Sequence, residues 1–166
     1  MRVPFYDHSR EYEQLSGEIE EAIGRVLASG NYQEGPEVEN FEEEVADFCG
    51  ASYAIATGSC FDSLLRSLLA LGVGEGDEVI TVSNTDISCA ATIRHTGAEV
   101  RFVDIDEKTY NMDPSALTEA INEKTKCVVA VHMYGQPAPM DEIMQIAREK
   151  DVFVIEDAAL AQGAQY

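Results

Sequence analysis

The chain has 166 residues, 45% of them hydrophobic and 25% charged, a composition that fits a globular domain with a sizeable core and excludes a disordered chain. Its formal net charge of −20 repels phosphate backbones and anionic membrane surfaces, so neither nucleic acid nor membrane is an expected partner. Apolar runs such as Leu68-Leu69-Ala70-Leu71 fall far short of the ~18 residues of a spanning helix, and Met1 to Asp7 carry no apolar signal-peptide segment. Cys49, Cys60, Cys89 and Cys127 form no metal knuckle and no C-x-x-C pair. They read as reduced thiols of a cytoplasmic protein, most of them small buried hydrophobes.

In chain order, Leu15, Ile19, Ile23, Val26 and Leu27 share one face of a helix over about 11–28, with Glu18, Glu20 and Glu21 opposite. Ser29-Gly30-Asn31 ends it. Pro36 suits the first turn of a second helix, whose stripe runs through Val38, Phe41, Val45 and Phe48 to Cys49-Gly50. From there the pattern alternates. Tyr53 to Thr57 is predicted as a strand, and Ser59 opens a helix that ends at Leu71-Gly72. Glu78 to Val82 is a strand, with a helix from about Thr85 to Thr96. Glu99 to Asp104 is a strand, and Asp113-Pro114 begins a helix with a cap and a first-position proline. Cys127 to His132 is a strand, Pro139 to Lys150 a helix, and Val152 to Glu156 a last, buried hydrophobic strand. Alternation of this kind predicts an α/β fold in three αβα layers around a mainly parallel sheet. Residues 1–50 read as an N-terminal helical segment packing on a larger domain that begins at 51. Because only Asp157 to Tyr166 follow the last strand, with no helix to cover it, the larger domain is expected to be incomplete at its C-terminus.

Parallel sheets bind ligands beyond the carboxyl ends of their strands, which directs attention to Gly58–Asp62, Ser83–Ile87, His132–Gln136 and Asp157–Gln162. The first of these sits at a strand-to-helix junction, where unpaired N–H groups and the helix dipole suit a phosphate; a plain helix cap is the other reading. It is neither a G-x-G-x-x-G fingerprint nor a P-loop. Glu156-Asp157 places carboxylates at a strand tip, where they need a hydrogen-bonding or cationic partner: backbone groups, a metal or a cofactor's ring nitrogen.

Five stretches together carry a resemblance. These are Ser29-Gly30-Asn31-Tyr32 with Gly35-Pro36-Glu37-Val38 and Phe41-Glu42; Leu71 to Ile80; Phe102 to Asp106 with Tyr110 to Pro114; Val131 to Pro137; and Ile155 to Ala159. In this order and spacing, from Pro4 to Tyr166, they resemble the DegT/DnrJ/EryC1/StrS family of pyridoxal-phosphate-dependent sugar aminotransferases. The resemblance implies the large domain of a fold-type-I pyridoxal-phosphate enzyme, a homodimer with its active site between subunits, and transfer of an amino group from glutamate to a keto sugar on a nucleotide. Such chemistry belongs to nucleotide-sugar metabolism and polysaccharide biosynthesis. It implies pyridoxal 5'-phosphate as cofactor, with Ser59, Cys60, Phe61, Asp86 and Asp157 around it. Asp157 would face the protonated ring nitrogen, and the helix start at Ser59 to Asp62 the phosphate.

Several positions depart from the family pattern. Cys60 and Phe61 replace the glycine and threonine of the phosphate loop. Asp86 replaces an aromatic residue that stacks on the ring; a carboxylate cannot stack, so it either hydrogen-bonds or leaves the ring to another group such as Phe61. Leu160 replaces a glutamine, and Gln162 a histidine. The family's Schiff-base lysine is expected beyond Tyr166, since Lys108, Lys124, Lys126 and Lys150 read as solvated turn or helix-end residues. The segment alone is therefore expected to be inactive. The alternatives are a non-catalytic or regulatory relative with a degraded cofactor site, a pyridoxal-phosphate-dependent sugar dehydratase, and an unrelated phosphate-binding module.

Overall fold

The computed structural model describes residues 3–4 and 7–166, which divide into two compact units, one ending at Ala56 and one running from Thr57 to Tyr166. The first unit holds α1 (Ser9–Ser29) and α2 (Pro36–Cys49). Gly30 closes α1 in the left-handed conformation at φ 67°, and Pro36 opens α2 where its missing N–H costs nothing. Arg25 Nε donates to Glu37 Oε1 at 2.8 Å and joins the two helices.

Tyr53 to Thr57 forms no strand. Its β-branched and aromatic composition is right, but an extended segment becomes a strand only beside another, and it enters no ladder among the described residues. Tyr53 and Ile55 are accordingly exposed.

The second unit contains α3 (Cys60–Ala70), β1 (Glu78–Val82), α4 (Ile87–His95), β2 (Glu99–Val103), α5 (Pro114–Ala120), β3 (Thr125–Val131), α6 (Met140–Lys150) and β4 (Phe153–Asp157). The four strands lie in the order β2-β1-β3-β4, and all their pairings are parallel. The chain moves outward from β1 to β2, then back past β1 to β3 and on to β4. Right-handed crossovers in opposite directions put their helices on opposite faces. Contacts agree: α3 packs on α4, α5 packs on α6, α4 meets β1 and β2, and α6 meets β4. The three-layer αβα expectation is thus realised.

The core sits on the two central strands. Val79, Ile80, Val82, Val128 and Val129 are buried, with Leu68, Ile93, Leu117 and Ile143 from the helices above and below and Met112 from the bridge that it forms with Ile105. The last strand differs from its predicted burial. Among the described residues it pairs with β3 alone, and there Phe153 is 48% exposed and Val154 and Ile155 are only partly covered. Lys126 also differs from its expected turn setting, because β3 begins at Thr125 and holds it half-buried in the strand.

The strand order reverses between β1 and β3, and the crevice at their carboxyl ends is where open α/β sheets take ligands. The loop after β3 is tightly wound there. Tyr134 and Gly135 both have left-handed φ, 56° and 82°. The glycine permits this at no steric cost. Buried Asn111 secures the loop, donating to the Gln136 and Pro137 carbonyls at 3.0 and 3.1 Å and accepting from the Met133 N–H at 3.0 Å.

Candidate functional site

Ser59 caps α3, its hydroxyl accepting the Asp62 N–H at 3.3 Å. The helix cap and the anion site are compatible, because the first-turn N–H groups of Cys60 and Phe61 have no intrahelical acceptor. Asp62 adds a negative charge to this turn, and Arg66 one turn on pairs with it at 2.9 Å.

Asp157 ends β4 and is 8% exposed although it carries a carboxylate. Its Oδ1 accepts the Ala159 N–H at 3.1 Å and faces Cys60 Sγ at 3.8 Å. Its Oδ2 accepts from Cys89 Sγ at 3.3 Å. Among the described residues no Lys, Arg or His lies within ion-pairing distance of it. A carboxylate withdrawn from water with only neutral donors around it is costly, and a cation delivered by a ligand relieves that cost. The site therefore fits a cofactor with a protonated ring nitrogen. Among the described residues, no group of three or more His, Cys, Asp or Glu side chains is arranged to hold a metal ion.

The two thiols are kept protonated. Burial raises the Cys89 thiol to about 12, with the Asp157 carboxylate pushing the same way and the Thr85 hydroxyl opposing. Burial and then Asp157 raise the Cys60 thiol.

The remaining expected site residues have other partners. Asp86 caps α4, taking the Ser88 N–H at 2.8 Å; the Ser88 hydroxyl first and then this N–H lower its pKa. Its capping also moves the start of that helix from Thr85 to Ile87. The Phe61 ring meets His95 edge-on, with centroids 5.3 Å apart. Leu160 is exposed, and Gln162 donates to the Ala159 carbonyl at 2.7 Å. So Cys60 and Asp157 meet directly, Ser59 lies at the adjoining helix start, and Phe61 and Asp86 engage α4.

Cys89 was not legible as a site residue. It reads as one more core thiol, and half of that reading holds: Cys89 and Cys127 are buried, Cys49 and Cys60 exposed. The available signal was its place one turn beyond Thr85, on the helix that starts at the carboxyl end of β1. His132 was equally plain in sequence. It is buried, its Nδ1 accepts the Ala138 N–H at 3.0 Å, and its Nε2 lies 3.0 Å from Glu156 Oε2.

The family model of the DegT/DnrJ/EryC1/StrS aminotransferases matches residues 13–166. The chain belongs to that family. Among its relatives, a pleiotropic regulatory protein of Geobacillus stearothermophilus is 43% identical over all of this chain and 45% of its own length. The dTDP-3-amino-3,4,6-trideoxy-alpha-D-glucose transaminase of Streptomyces venezuelae is 42% identical over 99% of this chain and 44% of its own. Among solved structures, S. venezuelae DesV in complex with a ketimine intermediate superposes with a TM-score of 0.95 at 41% identity, covering 98% of this chain and 44% of that one. NtdA of Bacillus subtilis with bound cofactor PMP gives 0.93 at 35%, covering 98% and 38%. The chain thus spans less than half the length of the family members it matches. The family likeness places it in the large domain of pyridoxal-phosphate enzymes, as its motifs imply. Among the described residues no helix is long and apolar enough to cross a membrane.

Proposed function

We propose that the protein carrying this chain is a pyridoxal-phosphate-dependent aminotransferase that passes an amino group from glutamate to a keto group of a nucleotide-linked sugar. The observation that carries this reading is Asp157, a buried carboxylate whose donors are two thiols and one N–H, without a cationic partner among the described residues. Asp157 would hold the ring nitrogen protonated, and the α3 start at Ser59 to Phe61 would hold the phosphate through backbone N–H groups. The bound cofactor supplies an electron sink for the substrate carbanion. The chain's own residues bind and orient it and keep a proton at that nitrogen.

A lysine is needed to hold the cofactor covalently. Lys124 and Lys126 stand at the amino end of β3 and Lys150 just before the amino end of β4, away from Asp157 at that strand's carboxyl end, and Lys108 lies in the turn after β2. We place the Schiff-base lysine outside residues 1–166, so that this segment alone does not transaminate. The working protein is read as a cytoplasmic homodimer with the site between subunits. The exposed apolar face of α1, with Ile23 at 53% and Leu27 at 61%, supports a partner surface.

A regulatory role is the second reading, favoured by the name of the G. stearothermophilus relative and by the engagement of Asp86 and Phe61 with α4. One assay separates the two. The full-length protein is incubated with pyridoxal 5'-phosphate, glutamate and a panel of keto-sugar nucleotides. Formation of 2-oxoglutarate together with an aminated sugar nucleotide is expected. Tight cofactor binding with no amino transfer across the panel would favour the regulatory reading.

A further inference from the structure

Asp157 does not stand alone. Cys89 Sγ lies 3.3 Å from its Oδ2 and 3.3 Å from the Thr85 hydroxyl. With the thiol proton donated to the carboxylate, the hydroxyl must donate to sulfur, giving a directed relay of Thr85, Cys89 and Asp157. Cys89 is 1% exposed, so water does not compete for it. On the other oxygen, the Cys60 contact is long at 3.8 Å, and Cys60 is exposed. The two thiols thus differ in kind: one is a short, enclosed donor, the other a long contact on the open side.

We propose that Cys89 is a positioning residue for the cofactor, fixing the plane of the Asp157 carboxylate through Oδ2, and that the Cys60 contact on Oδ1 is the one a ring nitrogen displaces. The inference rests on the pyridoxal-phosphate reading above. It follows from geometry and from the sharing of donors: a neutral thiol orients the carboxylate without cancelling the charge a cation needs. The high thiol pKa of Cys89 is consistent with a donor that stays protonated at neutral pH. Groups that orient a ligand-holding side chain from behind commonly matter about ten-fold to a hundred-fold in affinity.

The test uses the full-length protein and pyridoxamine 5'-phosphate, whose binding requires no lysine adduct, followed by titration calorimetry. Cys89→Ala should weaken binding about ten-fold, and Cys89→Ser, which keeps a donor, should restore it to within about three-fold of the parent. Thr85→Val, which keeps the volume and removes the hydroxyl, should weaken binding in the same direction and serves if Cys89→Ala folds poorly. Bound pyridoxamine phosphate should slow alkylation of Cys60 by iodoacetamide. Equal affinities for Cys89→Ala and the parent, or for Cys89→Ser and Cys89→Ala, would overturn the positioning role. Unprotected Cys60 would overturn the displacement. If Asp157→Asn weakens binding but the Cys89 variants do not, only this inference falls; if Asp157→Asn has no effect, the cofactor reading itself falls with it.

Discussion

His132 at the end of β3 and Glu156 near the end of β4 are joined across the sheet, His132 Nε2 lying 3.0 Å from Glu156 Oε2. The backbone repeats the link one residue on, the His132 N–H donating to the Asp157 carbonyl at 3.0 Å. Because Nδ1 accepts the Ala138 N–H, the neutral ring carries its proton on Nε2 and donates it to Glu156. The imidazole therefore ties together the tip that bears Asp157, the β3 terminus and the loop leading to α6. His132→Ala is expected to strand the buried Ala138 N–H, at a cost of about 1–3 kcal/mol before any cavity is counted. Glu156→Gln, whose side chain is 56% exposed, should cost about 0.5 kcal/mol or less. Urea denaturation of both variants checks the difference, and equal midpoints would show that the histidine does not hold the loop.

Asp157 has the greater consequence for chemistry. Asp157→Asn keeps the shape, replaces one acceptor oxygen by an NH2 donor and removes the charge. The full-length protein with this change is expected to lose turnover by about 10²–10³-fold, the scale for deleting a preorganised electrostatic partner. Folding should be unharmed, because a buried charge without a cation is itself a cost. Steady-state rates and the melting temperature measured together provide the check. Unchanged turnover would detach Asp157 from the ring nitrogen.

The sheet was readable because its code is local: each of β1 to β4 is a short run with β-branched residues, and the helices between them show their period, with a cap and a first-position proline at Asp113-Pro114. Tyr53 to Thr57 carries the same composition, yet it forms no strand, because pairing is a property of neighbours rather than of the segment. In the site, Asp157 was legible from its place at a strand tip. Cys89 was not, because its meaning lies in a contact across 68 residues of chain. Asp86 was placed at the turn before α4 and read toward the cofactor; the structure adds the helix's own claim on its carboxylate, which caps α4.

That claim can be measured. Asp86 accepts the Ser88 N–H at the start of α4 and is exposed, so Asp86→Ala should lower the melting temperature by a few degrees, while Asp86→Asn should lower it less. Asp86→Phe restores the aromatic residue usual in the family at this position. It should show the same loss of stability with tighter binding of pyridoxamine phosphate, if the turn before α4 faces the ring. Differential scanning calorimetry and a binding titration separate the two effects, and Asp86→Phe binding no tighter than Asp86→Ala would mean the position does not reach the ring.

The buried thiols make stability depend on alkaline pH. Burial raises both Cys89 and Cys127 from an ordinary 9.0 to about 12. Between those values the unfolded chain has released protons that the folded chain still holds, so folding takes up protons and stability falls as pH rises. The contribution is present in full below about pH 9 and is lost progressively as the pH climbs toward 12. Each thiol contributes a slope of about 1 kcal/mol per pH unit in that window. Unfolding free energies measured at pH 8, 9 and 10 should therefore decline, and Cys127→Ala, whose thiol lies outside the candidate site, should be less stable than the parent at pH 8 yet show a shallower decline. An identical slope in that variant would mean that Cys127 does not contribute to the alkaline loss.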